Sequence, residues 1–219
     1  MNRIWQFGLF VWLGLVIVAA FLWAPLAKGL GEYTRVLYFH VPVAWVTVLA
    51  FLIGAVYSIV YLRKREIIYD QIAEAASQLG LVFCILATVT GSIWAKVSWG
   101  SFWNWDPRET SIFILLLIYA AYFALRSAVE QEERKATLAA VYAVMAFVTV
   151  PFFVFIVPRV YSSLHPDPLI NTQARIKMDG RMLMTFLSSL FGFSVLFIWM
   201  LVRQIQLIRV KLRLREMEL

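Results

Sequence analysis

The 219-residue chain has one cysteine, Cys84, two histidines and only 15% charged residues. A single cysteine with no Cys-x-x-Cys pair excludes a disulfide framework and dithiol redox chemistry within the chain. Set in an apolar run, Cys84 is expected to be a small buried apolar residue. Two histidines and no second cysteine are too few for a structural zinc site, which takes four ligands. The scarcity of charge, against 62% hydrophobic residues, excludes an ordinary soluble domain, whose apolar share is nearer about half. The apolar runs carry almost no charge at their centres, so they offer no path for an ion or polar solute. Neither an internal repeat nor the paired broken helices of secondary transporters is visible. The net charge of +7 is not a nucleic-acid footprint, because its 20 Lys and Arg are scattered between apolar blocks. Membrane topology and anionic lipid account for them, and nucleic acid is not an expected partner.

What the chain does have is apolar length. A spanning helix needs about 20 mostly apolar residues, and six segments qualify, at 5–24, 43–62, 77–95, 110–126, 138–157 and 182–202. The first follows Arg3 but exceeds the roughly 7 to 15 residue core of a signal peptide, and five similar segments follow it. Residues 1–219 therefore read as a single all-α integral membrane domain, a six-transmembrane-helix bundle. Six spans put both termini on one side. That side holds 12 of the 20 Lys and Arg, which makes both termini cytoplasmic under the positive-inside rule. The cytoplasmic connectors 63–76 and 126–137 mix both signs of charge and are expected to be solvated helix ends. The tail 203–219 places Ile205, Ile208 and Leu212 at helical spacing among basic residues, so it should prolong the last span against anionic lipid or a partner.

Three connectors then face outward, 25–42, 96–109 and 158–181, and both histidines fall in them: His40 at the mouth of the second span and His165 in the longest outer loop. Either alone reads as an interfacial polar residue. As the only pair, on one face, they form a candidate set of two neutral imidazoles able to hold one metal from opposite sides, as histidines hold haem iron. The second outer connector carries Trp99, Phe102, Trp103 and Trp105 within seven residues. Such a cluster suits an interfacial belt or a stacking surface for a planar ligand. Trp99 and Trp103 are four apart and would share a face on a short surface helix, and Gly100 would let a flat ligand or backbone approach closely. Asp106, Pro107 and Glu109 spell the start of the fourth span: N-cap, first helical position and capping-box partner. They are not expected to be an acid/base pair. Arg35, Lys96, Arg108, Arg159, Arg175, Lys177 and Arg181 offer cations on the same face for carboxylates of an amphipathic ligand.

The string Trp99-Gly100-x-x-Trp103-x-Trp105-Asp106-x-Arg108-x-Thr110 resembles the tryptophan-rich (WWD) signature of the haem-handling membrane proteins of cytochrome c-type biogenesis. Tyr38-Phe39-His40-Val41-Pro42 and Ser163-Leu164-His165 look like the two histidine motifs of the haem exporter protein C (CcmC) branch. The resemblance covers nearly the whole chain. It implies a haem chaperone of a bacterial inner membrane, multi-pass, that is not an enzyme. It would hold haem b at the periplasmic face with His40 and His165 as axial ligands and with Trp99, Gly100, Trp103, Trp105 and Asp106 as the presenting loop. The implied partners are the ABC transporter subunits CcmA and CcmB, the small CcmD and the periplasmic haem carrier CcmE. The ending Asp106-Pro107-Arg108-Glu109-Thr110 is closer to CcsA-type cytochrome c synthases, so a small CcsA-like haem lyase subunit is the alternative. A plain structural membrane subunit with an aromatic belt is a further one.

Overall fold

The computed structural model describes residues 3–165 and 178–217. Within them every regular element is helical, as lipid demands of a chain that must satisfy its backbone hydrogen bonds internally. Helix α1 (Arg3–Val18) runs into a wide π turn, Ala19–Trp23. A 3-10 segment, Gly31–Val36, leads into α2 (Leu37–Lys64), followed by α3 (Ile67–Trp99) and α4 (Pro107–Ala128). Helix α5 (Glu132–Pro151) continues through a second π turn, Phe152–Ile156, into α6 (Val157–Val160), and α7 spans Gly180–Met217. Six of these helical stretches are long and apolar enough to cross a membrane, and the chain is a multi-pass membrane protein.

Helices α2 and α3 form the central antiparallel pair, with α5 and α7 packed on α2, α4 against α3 and α5, and α1 mainly on α7. Close approach rests on small residues, as in other membrane bundles. Gly54 faces Ser77, Gly80 faces Phe51 and Ala50, and α5 buries Ala136, Ala139, Ala140, Ala143 and Ala146 on one stripe. Cys84 is a free, fully buried core residue between Phe51, Leu115 and Tyr119. By contrast α1 turns Trp5 and Phe7 outward, and the π turn after it Leu22, where lipid rather than water is their solvent.

Several boundaries differ from the sequence reading: α3 starts at Ile67 rather than at residue 77, and α5 at Glu132 rather than at 138. The second helix starts at Leu37 rather than at residue 43, so His40 and Pro42 stand on the helix and not in a connector. Pro42 has no N–H to give to the Tyr38 carbonyl four residues back. The Ser189 hydroxyl of α7 donates to that carbonyl instead, so a proline inside the helix becomes a fastening point for α7. The connectors 63–76 and 126–137 are also not merely solvated. Arg126 is 7% exposed and holds Asp70, itself 4% exposed, through Nη1 to Oδ1 at 2.7 Å. Nη2 meets Asp70 Oδ2 at 2.9 Å and Glu74 Oε2 at 2.7 Å. This ion pair pins the end of α4 to the start of α3 at the end of the bundle away from both histidines. The tail does prolong the last span, as α7 runs to Met217.

Candidate functional site

Asp106 is the hub of the site. As N-cap of α4 it accepts the Arg108 N–H on Oδ1 at 2.9 Å, while Glu109 Oε2 accepts the Asp106 N–H at 3.3 Å, completing the capping box with Pro107 at the first helical position. The same carboxylate reaches across to the loop that carries His165. Oδ2 accepts the Leu164 N–H at 2.7 Å and the Ser163 hydroxyl at 2.9 Å, and Oδ1 meets His165 Nδ1 at 2.9 Å. The Ser163 oxygen in turn accepts the His165 N–H at 3.1 Å. Burial works to raise the Asp106 carboxyl, but the N–H groups of Arg108 and Leu164, the Ser163 hydroxyl and the His165 ring together hold it below the ordinary value.

Asp106 is therefore ionised and acts only as an acceptor, so His165 Nδ1 carries the hydrogen between them. Burial, with the Arg108 charge as the next cause, depresses the His165 imidazole to about 4 despite the neighbouring carboxylate. The ring is neutral at pH 7, with Nδ1–H on Asp106 and a lone pair on Nε2. That is the arrangement in which a carboxylate fixes a metal-binding histidine.

His40 is prepared in the same sense by a weaker partner. Its Nδ1 lies 3.0 Å from Thr90 Oγ1. The Thr90 hydroxyl hydrogen is committed to the Leu86 carbonyl at 2.7 Å. The Thr90 oxygen is then the acceptor and His40 Nδ1 the donor, which again leaves the lone pair on Nε2. The ring lies against Gly91, where an added Cβ would stand 2.8 Å from His40 Cε1. Only glycine admits the imidazole that close to the α3 backbone.

One face of α3 joins the two histidines. Thr90 and Gly91 touch His40. Trp94, one turn further at i+4 and i+3, has its ring centroid 5.8 Å from that of His165. Trp99, the last residue of α3, packs edge-on to His165 at 4.7 Å and to Trp94 at 5.0 Å. The contact points are thus about one helical turn apart, ~5 Å along the axis. Beside the two indoles opens a groove of about 420 Å³, lined by Trp94, Trp99, Leu164 and the segment from Gly29 to Tyr33. Its volume falls in the range of small-molecule sites.

A family model described as Heme exporter protein C matches residues 3–219. The chain belongs to the haem exporter protein C family. Proteins named Heme exporter protein C from Bradyrhizobium diazoefficiens and Rhodobacter capsulatus are 32% and 36% identical to it over 77% and 57% of the chain. The match spans 64% and 52% of their own lengths. A Marchantia polymorpha protein, named as a putative cytochrome c biosynthesis ccmC-like mitochondrial protein, is 32% identical over 80% of the chain and 75% of its own length. Membership decides between the two branches that the Asp106-to-Thr110 ending left open.

Of the residues the sequence pointed to in this haem exporter protein C member, the structure gathers His165, Asp106 and Trp99 directly and ties His40 to them through α3. Trp103 and Trp105 form a separate unit, packed against each other at 5.8 Å, with Trp103 also on Phe113 at 6.0 Å. No surface helix joins Trp99 to Trp103. Gly100 ends α3 in the left-handed conformation, φ +84°, its N–H on the Lys96 carbonyl, and the chain then crosses to Asp106 without helical structure. Gly100 serves this turn, which a side chain would strain. Trp105 also adopts positive φ, 55°, and is 71% exposed. Among the cations, Lys96 donates to the Gly100 carbonyl, Arg35 pairs with Glu32 and Arg181 with Asp179. Arg175 and Lys177 lie outside the described residues. Sequence reasoning missed Thr90, Gly91 and Trp94, and it quoted Ser163 in a histidine motif without giving it a role. The signals were a Thr-Gly step one turn before a tryptophan inside an apolar run, and a serine two residues before a histidine.

Proposed function

We propose that the chain is a haem chaperone of cytochrome c biogenesis. It holds haem b between His40 and His165 at the outer face of a bacterial cytoplasmic membrane and gives it up to a periplasmic CcmE-like carrier, working beside CcmA, CcmB and CcmD-like subunits. The observation that carries this reading is that Nδ1 of each histidine has a partner, Asp106 for His165 at 2.9 Å and Thr90 for His40 at 3.0 Å, which in the Nδ1–H form leaves the Nε2 lone pair for a metal. A single imidazole so arranged is common; two along one helix face, flanked by Trp94 and Trp99, fit an iron macrocycle held from both sides. The iron accepts the two nitrogen lone pairs, and the porphyrin is planar and apolar enough for the indoles. The chain's own work is to bind, orient and release. Its histidines would hold the iron by coordinate bonds that exchange without covalent chemistry, so the haem is cargo.

The orientation rests on the excess of Lys and Arg on the side of the termini. Exposed Trp105 and Phe102 stand outside the His165 cluster and are the surface left for the carrier. The test is ligand by ligand. Replacing His40 or His165 by alanine should turn a six-coordinate, low-spin haem spectrum into a five-coordinate one, and added imidazole should restore it. A variant with an unchanged spectrum would remove that histidine from the site.

A further inference from the structure

The Asp106 carboxylate does two jobs that the sequence presents as one. The capping box accounts for the bond from the Arg108 N–H to Oδ1. It does not account for the Leu164 N–H on Oδ2, the Ser163 hydroxyl on both oxygens, or His165 Nδ1 on Oδ1. These contacts come from 57 to 59 positions away in the chain, from the short segment 163–165 that holds one of the two histidines. The side chain is 1% exposed, so nothing in solvent substitutes for these partners.

We infer that Asp106 is the positioning residue of His165: it does not touch the cargo, but locks the imidazole in the Nδ1–H form and anchors the 163–165 segment to the start of α4. This rests on the proposed role of His165 as a ligand, and it moves Asp106 from the presenting surface to the support behind the ligand. The chemistry requires a carboxylate. Both oxygens face donors, Oδ1 the Arg108 N–H and the His165 ring, Oδ2 the Leu164 N–H. Asparagine has one acceptor and one donor end, so whichever way it turns, its NH2 opposes a donor. Asparagine turned to keep its oxygen on the Arg108 N–H would keep the His165 bond as well, since both fall on Oδ1. Serine and threonine serve at a helix N-cap in place of aspartate but are too short to reach the second segment. Asp106→Ser and Asp106→Thr therefore remove the positioning function and keep the cap.

The experiment uses the full-length protein in detergent and has one readout that needs no haem. With ¹⁵N-labelled histidine, the haem-free wild type should show His165 as a single Nδ1–H tautomer. In Asp106→Ser and Asp106→Thr that signal should become a tautomer mixture while the helical content stays at the wild-type value and the His40 signals do not move. On haem addition both variants should lose low-spin character as His165→Ala does, with exogenous imidazole restoring it. A histidine–carboxylate pair makes a stronger donor ligand, so whatever loaded fraction remains six-coordinate should have a raised reduction potential. A wild-type tautomer in both variants would overturn the inference and leave Asp106 a cap. A wild type that takes no haem, with the tautomer still lost in the variants, would sink the haem reading and leave the positioning role standing.

Discussion

Replacing Gly91 by alanine should unseat His40 without touching any polar group. The added Cβ would lie 2.8 Å from His40 Cε1, about 0.6 Å inside the 3.4 Å at which ordinary contact begins. The α3 backbone has little freedom to yield, because α3 is packed along α2, so the ring must swing and its Nδ1 draws away from Thr90. Over-packing of this kind costs about 1–3 kcal/mol, and a binding group displaced by ~0.5 Å or more falls outside productive geometry. At about 1.4 kcal/mol per factor of ten, haem affinity should drop roughly 5- to 150-fold. The assay is an absorbance titration of haem into the haem-free protein for wild type, Gly91→Ala and Gly14→Ala, the last a control whose Cβ meets nothing within 4 Å. A cycle with His40→Ala isolates the mechanism: once His40 is gone, the Gly91 change should have no further effect. Wild-type affinity in Gly91→Ala, or an equal loss in the His40→Ala background, would refute the argument.

Other perturbations probe other parts of the account. Arg126→Met leaves Asp70, 4% exposed, as an unpaired buried charge and should destabilise the fold by about 3–5 kcal/mol. Thermal unfolding in detergent would show it, and adding Asp70→Asn should recover most of the loss. Trp105→Gly relieves a left-handed backbone, φ 55°, that costs a non-glycine residue about 1–2 kcal/mol; the protein should melt higher and still bind haem but pass it to a CcmE-like carrier more slowly. Transfer at the wild-type rate would take Trp105 out of the docking surface. In the haem-free protein His165 should take up its proton near pH 4 rather than near 6.5. The unfolded chain binds that proton first as the pH falls, so this site's contribution to stability should be whole above about pH 6.5 and lost progressively between there and 4. Histidine ¹H–¹⁵N spectra across that range would check it.

The six apolar runs and the capping box at Asp106 were legible in the sequence because each depends on a local pattern: about 20 residues of hydropathy, or three residues at the start of a helix. Cys84 was legible for the same reason. The start of α2 was not, because Pro42 reads locally as a boundary and only the Ser189 hydroxyl of α7, 151 positions from Tyr38, shows how it is accommodated inside a helix. The buried pair of Arg126 with Asp70 escaped likewise, since charges in a connector look solvated until two helix ends are known to meet. At the site, the histidines and the tryptophan stretch announced themselves by composition. Their second partners did not. Thr90 and Gly91 are ordinary residues within an apolar span, and the hydrogen bonds from Asp106 to the 163–165 segment link positions that no local pattern connects. The tryptophans also separate in space, Trp99 going to His165 and Trp103 with Trp105 to another surface, because the left-handed Gly100 breaks the helix that would have aligned them.

The central claim is that two histidines prepared through their Nδ1 atoms hold one haem. The most direct measurement is the absorption and electron paramagnetic resonance spectrum of the purified, haem-loaded protein, taken for wild type and for the variant lacking both His40 and His165. The account predicts a low-spin, six-coordinate bis-histidine signature at one haem per chain, abolished in the double variant. A double variant that keeps haem with the same low-spin signature, or a wild type that does not retain haem at all, would contradict it.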